Sequence, residues 1–186
     1  MELTRSLVEA KAQEYREVEP LYTVEQEHVE MLSQTFRGEE YGWRYVEWVV
    51  QWYFRRHLGA YPDTERRATE GSFRENDFED VVDVLSAVVE LRSVAERLDQ
   101  LTTLIGVDVP AASAFLMFAF PDRYIAIGDR EWRVLVEADE LERSYPDALS
   151  VDDYLTYHEV CRDLADRLDA DAWTIYRALW RIGDET

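Results

Sequence analysis

Residues able to do chemistry are few in this chain, and they gather in one stretch. Between Leu104 and Leu135 come a glycine turn at Gly106-Val107, a small-residue helical pattern from Ala111 to Phe120, and the apolar Ile125-Ala126-Ile127. An isolated acid, Asp129, then follows Gly128 directly before a second helical pattern. A carboxylate at such a place has two possible roles. It can cap the helix through the first free amides, or it can stand in a cleft and stabilise positive charge developing on a reacting group. Other constellations are incomplete. His28, His57 and His158 are scattered, and His158-Glu159 lacks the spacing of a helical zinc site. Ser113 has no histidine placed beside it and reads as a packing residue. The same holds for the single cysteine, Cys161, at helical spacing beside Val160 and Leu164. No Gly-rich phosphate loop is present, so neither a metal nor a cofactor is expected.

The rest of the chain reads as helices that position this stretch. Leu3, Leu7, Ala10 and Glu14 open an acid-rich helix that ends near Pro20. Thr23-Val24-Glu25-Gln26 has the form of a capping box, followed by the apolar stripe Val29, Leu32, Phe36 and a stop at Gly38. From Tyr41 to Leu58 the pattern is aromatic or apolar on nearly every face, which predicts the central helix of a bundle. It ends in Arg55-Arg56-His57, cations that suit the negative end of a helix dipole or could grip a phosphate. Pro62-Asp63 opens a short segment, Thr64 to Arg74. Asn76-Asp77-Phe78-Glu79 reads as a second capping box before one long helix carrying Val81, Val84, Leu85, Val88, Leu91, Val94 and Leu98. Tyr145-Pro146 marks a loop, Ser150-Val151-Asp152-Asp153 caps a further helix, and Asp171 caps the last, where Trp173, Tyr176 and Trp180 repeat at helical spacing. No run alternates long enough to force a strand. The predicted fold class is all-α, one compact domain over 1–186 with its core hairpin at about 98–138.

Composition supports this and narrows the partners. A chain of 186 residues with 47% hydrophobic and 13% aromatic content can bury one sizeable core. Its 40 Asp plus Glu against 20 Lys plus Arg give a net charge of −20, and Lys11 is the only lysine. An acidic, nearly lysine-free surface suits molar salt, where carboxylates stay hydrated and self-repulsion is screened, so a halophilic source is expected. At such salt, counterion release adds little to nucleic-acid binding and a basic patch is not expected. Met1 to Leu7 lacks the basic start and apolar run of a signal peptide, and no segment reaches the length of a membrane span. The expectation is a soluble cytoplasmic protein with no membrane partner. Trp43 or Trp173 could serve an oligomer interface or the core, and periodicity does not distinguish them.

The stretch Leu104-Ile105-Gly106-Val107, its Ala-rich helix and Asp129 resemble the helix-hairpin-helix superfamily of base-excision DNA glycosylases, with Leu104, Gly106, Val107, Ala112 and Asp129 on matching positions. The segments Phe120 to Tyr124, Gly128 to Trp132 and Ala178-Leu179-Trp180 are similar to small prokaryotic proteins with a glycosylase-like hairpin core. The resemblance implies a two-lobed helical body. It also implies DNA as partner, with hairpin amides at Gly106 and Val107 on a backbone phosphate and Arg55, Arg56 and Arg130 as further contacts. Asp129 would face a flipped-out nucleotide, stabilising an oxocarbenium-like sugar, in a cleft lined by Trp132 and Trp52.

Three positions depart from the family pattern. The hairpin's second glycine is Asp108 here, putting a carboxylate where the phosphate would sit. Pro110 stands where bifunctional members keep their Schiff-base lysine, which implies a monofunctional N-glycosylase without lyase activity. The arginine expected after the aspartate is one residue out of register, at Arg133, with Val134 in its place. The alternative is a non-catalytic helical binding or scaffold protein, in which Gly106 and Asp129 shape the backbone only.

Overall fold

A computed structural model describes residues 1–38, 41–57 and 61–185. Among them every regular element is a helix: α1 Arg5–Val18, α2 Tyr22–Thr35, α3 Trp43–Arg55, α4 Asp63–Phe73, α5 Phe78–Glu90, α6 Val94–Leu101, α7 Val109–Ala119, α8 Asp129–Glu137, α9 Val151–Leu168 and α10 Ala172–Glu185. The all-α class is as the sequence predicts. One lobe joins the two ends of the chain, with α1, α8 and α9 packed on α10, and the other packs α2, α3 and α6 on α7, with α4 against α3 and α5 against α6. No described helix is long and apolar enough to cross a membrane.

The central helix is α7, not α3. From Ala111 to Ala119 every side chain of α7 is buried, because a helix with no polar face has no favourable place except the core. Its small residues allow α2, α3 and α6 to pack close to it. By contrast α3 buries Val46, Val49, Val50 and the run Trp52 to Phe54 but leaves Arg44 and Arg55 in solvent. Leu58, the last residue of the predicted element, lies outside the described residues.

The capping signals divide by what else each side chain can reach. Ser150 and Asp153 form the reciprocal box, and Asp171 Oδ1 accepts the Thr174 amide at 2.8 Å. The Thr23 box is not formed, since α2 starts two residues earlier than the box implies, from an N-cap at Leu21 without a side-chain bond. Its Glu25 is drawn into the core instead. It accepts from Tyr15 Oη at 2.6 Å, Trp52 Nε1 at 3.1 Å and Arg177 Nη2 at 3.0 Å, tying α1, α2, α3 and α10 together. Burial raises the Glu25 carboxyl above its ordinary range, and Arg177 opposes that shift. Asn76 likewise leaves its predicted box, and its amide pins the hairpin: Oδ1 accepts from Ile105 N and Nδ2 donates to Ile105 O, each at 2.9 Å.

The long helix predicted through Leu98 is two helices, broken at Leu91 to Ser93. Ser93 caps α6 by accepting from Glu96 N, and Arg97 turns back to donate through Nε to Val88 O and Leu91 O at the end of α5. A residue that looks like surface charge in the sequence thus satisfies carbonyls that an unbroken helix would not leave free.

Candidate active site

The site begins with a buried extended segment, Tyr124 to Gly128, whose backbone cannot use helix or sheet partners. Three tyrosine hydroxyls take over: Tyr154 donates to Ile125 O at 3.2 Å, Tyr157 to Ala126 O at 3.1 Å and Tyr53 to Ile127 O at 2.8 Å. Ser113 accepts from Ile127 N at 3.0 Å and donates to Pro110 O, which is the packing role expected of it with two hydrogen bonds added. Carried from α3, α7 and α9, these bonds fix where α8 starts.

That start differs from the simple cap reading. Gly128 is the N-cap, in extended conformation and without a side chain to bond the amides, and Asp129 is the first helical residue. The Asp129 side chain remains 58% exposed, with Oδ2 3.0 Å from Arg133 Nε one turn along α8. The arginine that is out of register with the family pattern still reaches the aspartate.

Directly behind Gly128 lies a buried ion pair, Arg56 Nη1 to Glu131 Oε1 at 2.7 Å, in which both side chains are at most 1% exposed. The guanidinium also donates to Tyr53 O and Tyr176 Oη and lies between the rings of Tyr53 and Trp180, 4.4 and 4.6 Å from their centroids. Among the described residues Arg56 Nη2 and Glu131 Oε2 have no partner. A Cβ on Gly128 would come within 2.8 Å of the first and 2.7 Å of the second. The pair therefore needs glycine here for space, since the backbone conformation itself suits any residue.

The hairpin closes the opposite wall. Gly106 adopts φ +74°, and a Cβ there would meet Phe73 N at 2.8 Å. Of the two amides expected on a phosphate, that of Val107 is taken by Leu104 O, while that of Gly106 makes no hydrogen bond among the described residues; the neighbouring Ile105 amide is taken by Asn76. Asp108 is the N-cap of α7, with Oδ1 accepting from Ala111 N at 2.9 Å, and Pro110 has no amide hydrogen to give.

Between these walls is a cleft of about 620 Å³. Tyr53, Phe54 and His57 of α3 line it with Tyr61, Asp108 and Pro110; Gly128 and Asp129 bring the α8 start; Tyr145 and Asp147 to Leu149 come from the loop before α9. Three carboxylates, Asp108, Asp129 and Asp147, meet an aromatic wall. His57 adds no charge at neutral pH, because burial, with Arg56 and Arg130 nearby, lowers its pKa to about 3.

Of the residues expected to act on or hold a nucleotide, Asp129 alone lines this cleft. Trp132 is buried against Tyr157 and donates Nε1 to Arg143 O at 2.7 Å, and Trp52 is engaged with Glu25, so both belong to the core. Arg56 is core as well. Arg55 is engaged by Glu70 through two contacts at 3.2 Å, and Arg130 stacks on Trp180 at 3.9 Å with Nη1 3.1 Å from Asp184. The phosphate roles expected of these arginines give way to pairing within the protein, as abundant acids surround each cation. The aromatic lining was missed. Its one signal was Tyr145-Pro146-Asp147, a bulky ring in a loop, where solvent would not favour it unless it covered something.

No family model matches the chain, and no curated protein matches it. Among solved structures, the crystal structure of Methanocaldococcus jannaschii 8-oxoguanine glycosylase/lyase in complex with 15mer DNA containing 8-oxoguanine is similar, with a TM-score of 0.51 and 15% identity. The match covers 95% of this chain and 97% of that one. This likeness shows a glycosylase-like helical fold.

Proposed function

We propose that the chain is a monofunctional N-glycosylase that releases a nucleobase from DNA, with Asp129 as the catalytic carboxylate. One observation carries this reading: in a glycosylase-like fold, an exposed carboxylate at a helix start faces an aromatic cleft large enough for a base. As the N-glycosidic bond lengthens, positive charge grows on the sugar, and the Asp129 carboxylate stabilises that charge and orients the attacking water. Arg133 holds the carboxylate in place. Tyr61 and Tyr145 offer faces on which an extruded base can stack. A Schiff-base step has no nucleophile in this cleft, since Pro110 replaces an amine in its wall and Lys11, the only lysine, is engaged by Glu14 and Glu185. The three carboxylates favour a neutral or cationic base over an anionic one.

The test is base release from oligonucleotides carrying 8-oxoguanine, uracil or an N-alkylated purine, at low and molar salt. Wild type is expected to release at least one of them, and Asp129→Asn to lose about 100-fold or more with an unchanged helical spectrum. Equal release by the variant would sink the assignment. A second reading, a non-catalytic binding or scaffold protein, draws on one feature: the α7 start that could hold a phosphate is filled by Asp108. Failure of wild type to release any base or retain any oligonucleotide at low salt would favour it.

A further inference from the structure

A second cleft, of about 370 Å³, lies at the other end of α7. The 11 residues of α7 span about 16 Å at 1.5 Å per residue, so this cleft is separate from the one at Asp129. Its charge is opposite to that of the molecule. Arg37, Arg97 and Arg123 converge on it with Ser33, and among the described residues Asp122 is the single acid of its lining, so that these residues carry two positive charges in excess on a chain of net −20. Among the described residues none of these arginines lies within ion-pair distance of an acid, whereas Arg55, Arg56, Arg130 and Arg177 all do.

The cleft is also built. Arg97 is only 4% exposed and is locked by its bonds to Val88 O, Leu91 O and Tyr124 Oη. Those bonds use Nε and one hydrogen on each terminal nitrogen, so a hydrogen on each remains for a ligand. The Phe120 ring sets the spacing, with the guanidinium carbons of Arg97 and Arg37 at 3.9 and 5.8 Å from its centroid. A partly preorganised set of guanidinium donors with a hydroxyl beside it matches the oxygens of a phosphoryl group, and an excess of two charges matches a dianion.

We propose that Arg37, Arg97, Arg123 and Ser33 form a phosphate-binding site, independent of the Asp129 cleft and suited to a phosphate monoester. The experiment titrates inorganic phosphate into the whole chain by calorimetry in chloride buffer of constant ionic strength. A nucleoside 5′-monophosphate and a short single-stranded oligonucleotide are titrated in parallel. Phosphate is expected to bind, with affinity lost about tenfold or more in Arg37→Ala and in Arg123→Ala. Both residues are exposed, so folding should survive, and Asp129→Asn is expected to leave the binding intact. Tighter binding of the monophosphate assigns a monoester ligand, and tighter binding of the strand assigns a backbone phosphodiester at the same arginines. No heat beyond the chloride control, or equal affinity in the Arg37→Ala/Arg123→Ala double variant, would overturn the site.

Discussion

Two helices, α7 and α8, begin on the same cleft, and they use their free amides in opposite ways. At α7 the cap is Asp108, whose carboxylate takes the Ala111 amide, while Pro110 removes one donor outright. The positive end of that helix is satisfied from within. At α8 the cap is Gly128, with no side chain to offer, and the acid comes one residue later, exposed and tethered to Arg133. A carboxylate on the cap residue becomes structural. Moved one position along the helix, it is held by its neighbour yet left facing the cleft, which is why Asp129 and not Asp108 carries the proposed chemistry.

The strongest way to break that contrast is Gly128→Ala. The added carbon would sit 2.8 Å from Arg56 Nη2 and 2.7 Å from Glu131 Oε2, forcing apart two charges with almost no access to water. Overpacking a filled site costs about 1–3 kcal/mol, and here it strains a buried pair, so a clear fall in melting temperature is expected. Because Arg56 belongs to α3 and Glu131 to α8, base release should fall further than stability alone accounts for. A melt indistinguishable from wild type would show that the pair does not need the glycine.

The same two charges mark the limit of sequence reading. Helix spacing was legible because apolar residues recur with the helical period, and α8 through α10 lie close to where that period puts them. The cleft was legible only at Asp129, since its other walls come from α3, the hairpin and a loop distant in sequence. Arg56, Glu131, Glu25 and Arg177 look like surface residues in a chain that is 32% charged, and only packing reveals them as core. Trp52 and Trp132 were drawn away from the cleft because a buried indole N–H needs an acceptor, and Glu25 and the Arg143 carbonyl supply them inside.

A gentler probe of the α8 side is pH. His57 lines the cleft with its pKa lowered to about 3, whereas in the unfolded chain it titrates near 6.5. The unfolded state then binds the extra proton first, so His57 favours folding fully above about pH 6.5 and progressively less as pH falls toward 3. Wild type should lose stability through this window relative to His57→Phe, by up to about 1.4 kcal/mol per pH unit, in denaturant melts. Parallel curves for the two proteins would mean that His57 is protonated in the folded state as readily as outside it.

The smallest effect should come from the α7 side, and it is the one that separates charge from amide availability. Asp108→Ala removes the cap bond to Ala111 N and is expected to destabilise by about 1 kcal/mol, while Asp108→Ser keeps a hydroxyl acceptor at the cap and should lie within a few tenths of wild type. Both variants delete one negative charge from the cleft wall, but only the alanine exposes a donor at the helix start. If the carboxylate excludes an oligonucleotide by repulsion, both variants should retain it better than wild type at low salt. If it excludes the strand by occupying the phosphate's place, alanine alone should gain, and the salt dependence of its binding should steepen by about one phosphate contact. Equal retention by all three proteins would mean that the α7 start plays no part in meeting DNA, leaving the contrast between the two helix starts a matter of stability alone.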